Sequence, residues 1–138
     1  MLDEFAEIAA ETGASVVRLD GRDIPPSPSA VLAALGEAVD VPDTGVIARE
    51  EERLCVLIDT YEVLAPIDEW VRTQLLPRLP ATALTVIAAR TPPSSEWRSD
   101  AAWSELLRVV SLRNLTPQES REFLRAVAVP PPLHERIC

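Results

Sequence analysis

The apolar positions of this chain fall into two rhythms, one of continuous short runs and one of three- and four-residue spacing. The clearest run is Leu54–Ile58, five apolar residues that end abruptly at Asp59. A run apolar on both faces reads as a strand buried within a parallel sheet. A carboxylate is costly to bury unpaired, so Asp59 is expected at the carboxyl end of that strand. Ala14–Leu19 and Ala83–Ala89 read as further strands, and Arg108–Leu112 as a last one.

Helical spacing fills the intervals. Leu2, Phe5, Ile8, Ala9 and Thr12 form one stripe, with acids at 3, 4, 7 and 11 opposite and Gly13 as a C-cap. Ser27-Pro28 is an N-cap and N1 pair opening a helix whose inward face is Val31, Leu32, Leu35 and Val39. Pro66 opens a helix with Ile67, Trp70, Val71 and Leu75 inward, so Trp70 is expected as a core anchor. Trp97 and Trp103 flank a loop and a short amphipathic helix over 95–107. Thr116-Pro117-Gln118-Glu119 is a capping box with proline at N1, starting a helix over 116–128 whose apolar face is Phe123, Leu124 and Val127. Val41–Gly45 reads as a turn, Arg49–Arg53 as a solvated charge run, and Leu133–Cys138 as the first turn of another helix.

Composition narrows the function classes. The 138 residues carry a formal charge of −9, which argues against this segment gripping nucleic acid. No apolar run reaches the roughly eighteen residues of a membrane span, and no signal peptide opens the chain, so a cytoplasmic location is expected. Cys55 and Cys138 lack metal-ligand spacing, and Cys55 reads as a small core residue. One histidine, His134, supports neither a histidine metal cluster nor a catalytic triad. All 13 basic residues are arginine.

The candidate chemistry lies at the strand ends. The carboxyl ends of strands in open α/β sheets face the ligand crevice. Asp59 and Glu62 there suit a hard divalent cation and the water it polarises, or form an ordinary acidic loop. Asp20 and Arg22 read more readily as a charged turn around Gly21 than as crevice groups. Arg90 ends the 83–89 strand, either as a surface arginine or as a cation beside a phosphate.

Leu-Cys-Val-Leu-Ile-Asp-Thr-Tyr-Glu over 54–62 resembles the Walker B strand of P-loop ATPases. With Val-Leu-Ala-Pro-Ile-Asp-Glu-Trp following, and Ala-Ala-Arg at 88–90, it is similar to the signal-transduction ATPases with numerous domains, and most of all to the ATPase modules of large bacterial LuxR-type transcriptional regulators. The resemblance implies a three-layer α/β parallel-sheet P-loop NTPase core, with 83–90 as the sensor-like strand. It implies that Asp59 holds a magnesium-bound water, that Glu62 positions the attacking water and that Arg90 senses the γ-phosphate. ATP and magnesium would then be the cofactors of the intact parent, and its other domains the partners.

The same resemblance exposes what is missing. A Gly-x-x-x-x-Gly-Lys-Ser/Thr loop cannot occur in a chain without lysine. The expectation is therefore a partial domain over 1–138, lacking its first strand and phosphate loop, with 1–13 as the remainder of the helix that follows that loop. Such a fragment should bind neither ATP nor magnesium tightly alone, and its unpaired strand edges should favour self-association. Two other readings stand beside it. One is a non-catalytic α/β interaction module; the other is a receiver-like phosphoacceptor domain, which would need a lysine.

Overall fold

The computed structural model describes residues 2–39, 53–128 and 130. The turn and most of the charge run expected over 41–53, and the helical turn at 133–138, lie outside them. The chain divides into two compact units, Met1–Asp100 and Ala101–Cys138.

The first unit is α/β with a three-stranded parallel sheet in the order β1-β2-β3. These strands are Ser15–Asp20, Leu54–Asp59 and Leu84–Ile87. Central β2 is paired on both sides, from Ser15↔Leu54 to Asp20↔Asp59 and from Cys55↔Leu84 to Ile58↔Ile87. Leu54 to Ile58 are each 1–2% exposed, and Asp59 alone emerges. This is why an unbroken apolar run suits β2: each side chain, whichever face it takes, meets a helix layer rather than water.

Helix α1, Leu2–Glu11, covers one face of the sheet. Ala6 packs on Cys55 and Leu57, with Leu2, Ala9, Val16 and Val86 around them. Gly13, at φ 78, ends α1 in the left-handed region, and Ala14 N–H returns to the Ala9 carbonyl at 3.0 Å. The contact face keeps Leu2 and Ala9 of the expected stripe but not Phe5 and Ile8. Ala6 is the buried residue, whereas Phe5 and Ile8 are 42% and 56% exposed.

Helix α2, Pro28–Val39, contributes buried Val31 and Leu35 and begins as expected, with Ser27 Oγ accepting from Ala30 N–H at 3.4 Å. Between β2 and β3 an irregular helical run spans residues 61–78. It passes from a 3-10 stretch, Tyr61–Ile67, through α3, Asp68–Trp70, to a π-helical turn, Val71–Leu75, and a last 3-10 turn, Leu76–Arg78. Pro66 and Pro77 each withhold a backbone donor, so regular α-helix cannot run through. Leu64, Val71, Leu75 and Leu76 are buried, but Trp70 is only half-buried. The tryptophan that anchors the core is Trp97, in α4, Ser95–Ser99.

The second unit holds α5, Ala101–Ser104, and α6, Pro117–Ala126. The strand expected over 108–112 is absent. Its residues have no ladder partner among the described residues, and Val110 and Leu112 are largely exposed. An apolar, β-branched pattern makes a strand only where a neighbouring edge completes its hydrogen bonds. Phe123 is likewise exposed, leaving Leu124 as the buried residue of α6. Among the described residues no helix is long and apolar enough to cross a membrane.

The capping box at α6 is complete. Thr116 Oγ1 accepts from Glu119 N–H at 3.3 Å, and Glu119 Oε2 accepts from Thr116 N–H at 2.7 Å. The Arg113 guanidinium, with those Thr116 bonds, lowers the Glu119 carboxyl from near 4.5 to about 2. A carboxyl depressed in the folded state stabilises it above the unfolded value and loses that effect as pH falls through the folded one. The α6 N-terminus should therefore fray between pH 4.5 and 2 in wild type. Thr116→Ala should lose about 1 kcal/mol of helix stability already at neutral pH. Amide chemical shifts of 116–120 across an acid titration check both.

Candidate functional site

At the carboxyl edge of the sheet the polypeptide does something unusual. Thr60, a β-branched residue, takes φ 52 and ψ 42, in the left-handed region. That reversal sends Asp59 outward and returns buried Tyr61 to the core. Ala88 N–H donates to the Ile58 carbonyl at 2.8 Å, and Tyr61 N–H to the Ala88 carbonyl at 3.1 Å. The residue that would pair in regular register, Thr60, is thus skipped. Strain at a non-glycine residue is retained where its surroundings over-determine it, commonly at ligand-facing turns.

The turn after β1 is fitted to the same point. Gly21 N–H donates to the Asp59 carbonyl at 2.9 Å, and a Cβ on Gly21 would stand 2.5 Å from the Thr60 carbonyl oxygen. Only glycine permits that approach.

Asp20 and Asp59 are register partners, so two carboxylates end adjacent strands. Arg22 grips Asp20 through Nε, Nη2 and its own backbone N–H, the last at 2.9 Å. These bonds, the guanidinium ones first, lower the Asp20 carboxyl to about 2. Asp59 Oδ1 accepts from Thr60 N–H at 2.7 Å. A cleft of about 400 Å³ opens here, and Asp3, Arg18, Asp20, Asp23, Asp59 and Ala88 are among its lining residues. Arg18 pairs with Asp3 and lowers its carboxyl through that hydrogen bond.

Glu62 and Arg90 are brought together. Arg90 N–H donates to Glu62 Oε2 at 3.3 Å, and its Nε lies 3.6 Å from Oε1. The Arg90 side chain is 91% exposed, so the ion pair itself contributes little and the guanidinium is free to swing. Asp59, Glu62 and Arg90 therefore share one sheet edge. Asp59 makes its bond within its own turn, whereas the other two pair across the gap between β2 and β3.

The loop carrying Arg90 is held by a group that the sequence patterns did not single out. Asp68 accepts from Tyr61 Oη at 2.7 Å, from Trp97 Nε1 at 2.9 and 3.1 Å, and from Ser94 Oγ at 3.1 Å. Burial first, then the Asp68 carboxylate, pushes the Tyr61 hydroxyl far above the ordinary phenol range. Arg72 adds a 2.7 Å ion pair to Asp100 beyond α4. The sequence favoured a charged turn for Asp20 and Arg22 over crevice groups; the turn is there, and Asp20 lines the cleft as well. Their neighbour Gly21, directly after a strand-end acid, was the available signal that the turn approaches another backbone closely.

Among the described residues no group of three or more His, Cys, Asp or Glu side chains is arranged to hold a metal ion by itself. Asp59 alone fits a lesser role. Its Oδ1 is engaged by the Thr60 amide, and a carboxylate has further acceptor capacity for a water of a hydrated magnesium ion. A triphosphate does not fit these residues alone, because the cleft holds more carboxylates than arginines and the chain supplies no lysine. No family model matches the chain, and neither a curated protein nor a solved structure matches it.

Three stability tests address this edge and the loop beside it. Gly21→Ala should cost about 1–3 kcal/mol, because the new methyl meets a backbone carbonyl. Thr60→Gly should be neutral or stabilising by up to about 1 kcal/mol as left-handed strain is relieved. Asp68→Ala should cost roughly 1–3 kcal/mol by leaving the Tyr61 hydroxyl and Trp97 indole without their acceptor. Urea unfolding of the three variants checks the signs.

Proposed function

We propose that residues 1–138 form the sheet and acid edge of a magnesium- and ATP-dependent switch domain of P-loop type, within a longer signal-transduction or transcriptional regulator. The observation that carries this reading is the conjunction at one edge. A doubly buried parallel strand ends in Asp59, and the loop of the next strand presents Arg90 against Glu62. In this reading Asp59 would hold a magnesium-bound water, Glu62 would orient the attacking water, and Arg90 would sense the γ-phosphate. Magnesium supplies charge neutralisation on the phosphates when bound. In that case the phosphate grip would have to come from a glycine-rich loop and lysine that these residues do not supply.

The Glu62–Arg90 pairing fits a waiting state. Each group satisfies the other, and a bound phosphate would compete for the arginine. A second reading, a non-catalytic interaction module, draws on Leu84, the exposed apolar residue at the start of β3.

Titration calorimetry with Mg-ATP separates them. Residues 1–138 should bind no tighter than the millimolar range. The longer polypeptide encoded by the same reading frame should bind in the micromolar range, and Asp59→Asn should weaken it at least tenfold in the presence of magnesium. Micromolar binding by residues 1–138 would overturn the division of labour. A longer chain that ignores Mg-ATP would overturn the nucleotide reading itself.

A further inference from the structure

Glu62 and Arg90 belong to two segments that one carboxylate ties together. Glu62 directly follows Tyr61, and Arg90 precedes Ser94 in the loop after β3. Tyr61 Oη donates to Asp68 Oδ1 at 2.7 Å, and Ser94 Oγ to Asp68 Oδ2 at 3.1 Å. The backbone of Tyr61 is tied as well, its N–H donating to the Ala88 carbonyl at 3.1 Å. These bonds trace a ring. It runs from Asp68 through Tyr61 to Ala88, along the chain to Ser94, and back to Asp68. Arg90 lies on that ring, and Glu62 adjoins it at Tyr61. The Trp97 indole braces the closure, with Nε1–H shared between both oxygens of Asp68 at 2.9 and 3.1 Å.

The Glu62–Arg90 contact has little slack. Arg90 N–H reaches Glu62 Oε2 at 3.3 Å, just beyond the usual range for such a bond. A further separation of about half an ångström would end it. The contact therefore depends on where the ring holds its two backbones.

From this geometry we infer that Asp68 is a positioning residue for the Glu62–Arg90 pair, closing from both sides the ring on which the pair is mounted. The closure needs two accepting oxygens. The hydroxyls of Tyr61 and Ser94 could turn and accept from an amide, but an indole N–H only donates. Trp97 Nε1 touches both oxygens, so an asparagine at this position, in either orientation, sets its NH2 group against the indole hydrogen. Asp68→Asn is thus nearly isosteric and still opens the ring. A phosphate as the competitor for Arg90 rests on the nucleotide reading above. The coupling to Asp68 does not, and it is measured with no nucleotide present.

An acid titration followed by amide NMR tests the coupling. The Arg90 amide reports the pair, because its shift follows the charge on the Glu62 carboxylate to which it donates. Glu62→Gln should abolish that titration, which identifies its source. In Asp68→Asn its amplitude should fall by roughly threefold or more as the bond lengthens. Tyr61→Phe removes one hydroxyl from the same ring and should lower the amplitude in the same direction, so it decides the matter if Asp68→Asn does not fold. Val31→Ala, in the buried face of α2, should lower stability and leave the amplitude at its wild-type value. A wild-type amplitude in both ring variants, or an equal loss in Val31→Ala, would overturn the inference. Either result would leave Mg-ATP binding by the longer polypeptide untouched. A longer polypeptide that ignores Mg-ATP would likewise leave the coupling standing.

Discussion

The first unit depends on the complete burial of β2. A strand that is 1–2% exposed from Leu54 to Ile58 must be paired on both sides and covered on both faces. That demand fixes the positions of β1, β3, α1, α2 and the helical run 61–78. It also dictates where polarity can return. Asp59 is the first residue beyond the cover, and Thr60 takes a left-handed conformation so that the chain can turn back into the core directly afterwards. The carboxylate edge is thus a by-product of burial as much as a site.

Electrostatics at that edge are mostly internal. Arg22 is spent on Asp20, Arg18 on Asp3, and Arg90 rests against Glu62. Asp59 instead accepts from the Thr60 amide of its own turn. An anionic ligand would approach a surface whose arginines already have carboxylate partners, so a cation would have to accompany it.

Much of this was legible in the sequence. Leu54–Asp59 declared itself because length, apolar continuity and a terminal acid agree, and its bounds match β2. The capping box at Thr116–Glu119 is a local device, complete within four consecutive residues, and needs no tertiary information. The failures are all non-local. The stripe through Phe5 and Ile8 identifies a helix, but which flank is covered depends on where the sheet stops. Residues 108–112 have strand-forming side chains, yet a pattern cannot supply the edge they would need. Asp68 looked like one acid among many, because its role arises only when Tyr61, Ser94 and Trp97 converge on it.

That convergence has a mechanical consequence for Arg90. The segment leaving β3 is clamped at Ala88 by the Ile58 carbonyl, and again at Ser94 and Trp97 by one carboxylate. Only 89–93 hang between the clamps, and Pro92 and Pro93 stiffen the far half. Arg90 is therefore a long, swinging side chain on a short, taut bridge. Its guanidinium can leave Glu62 for solvent while its Cα stays where it is.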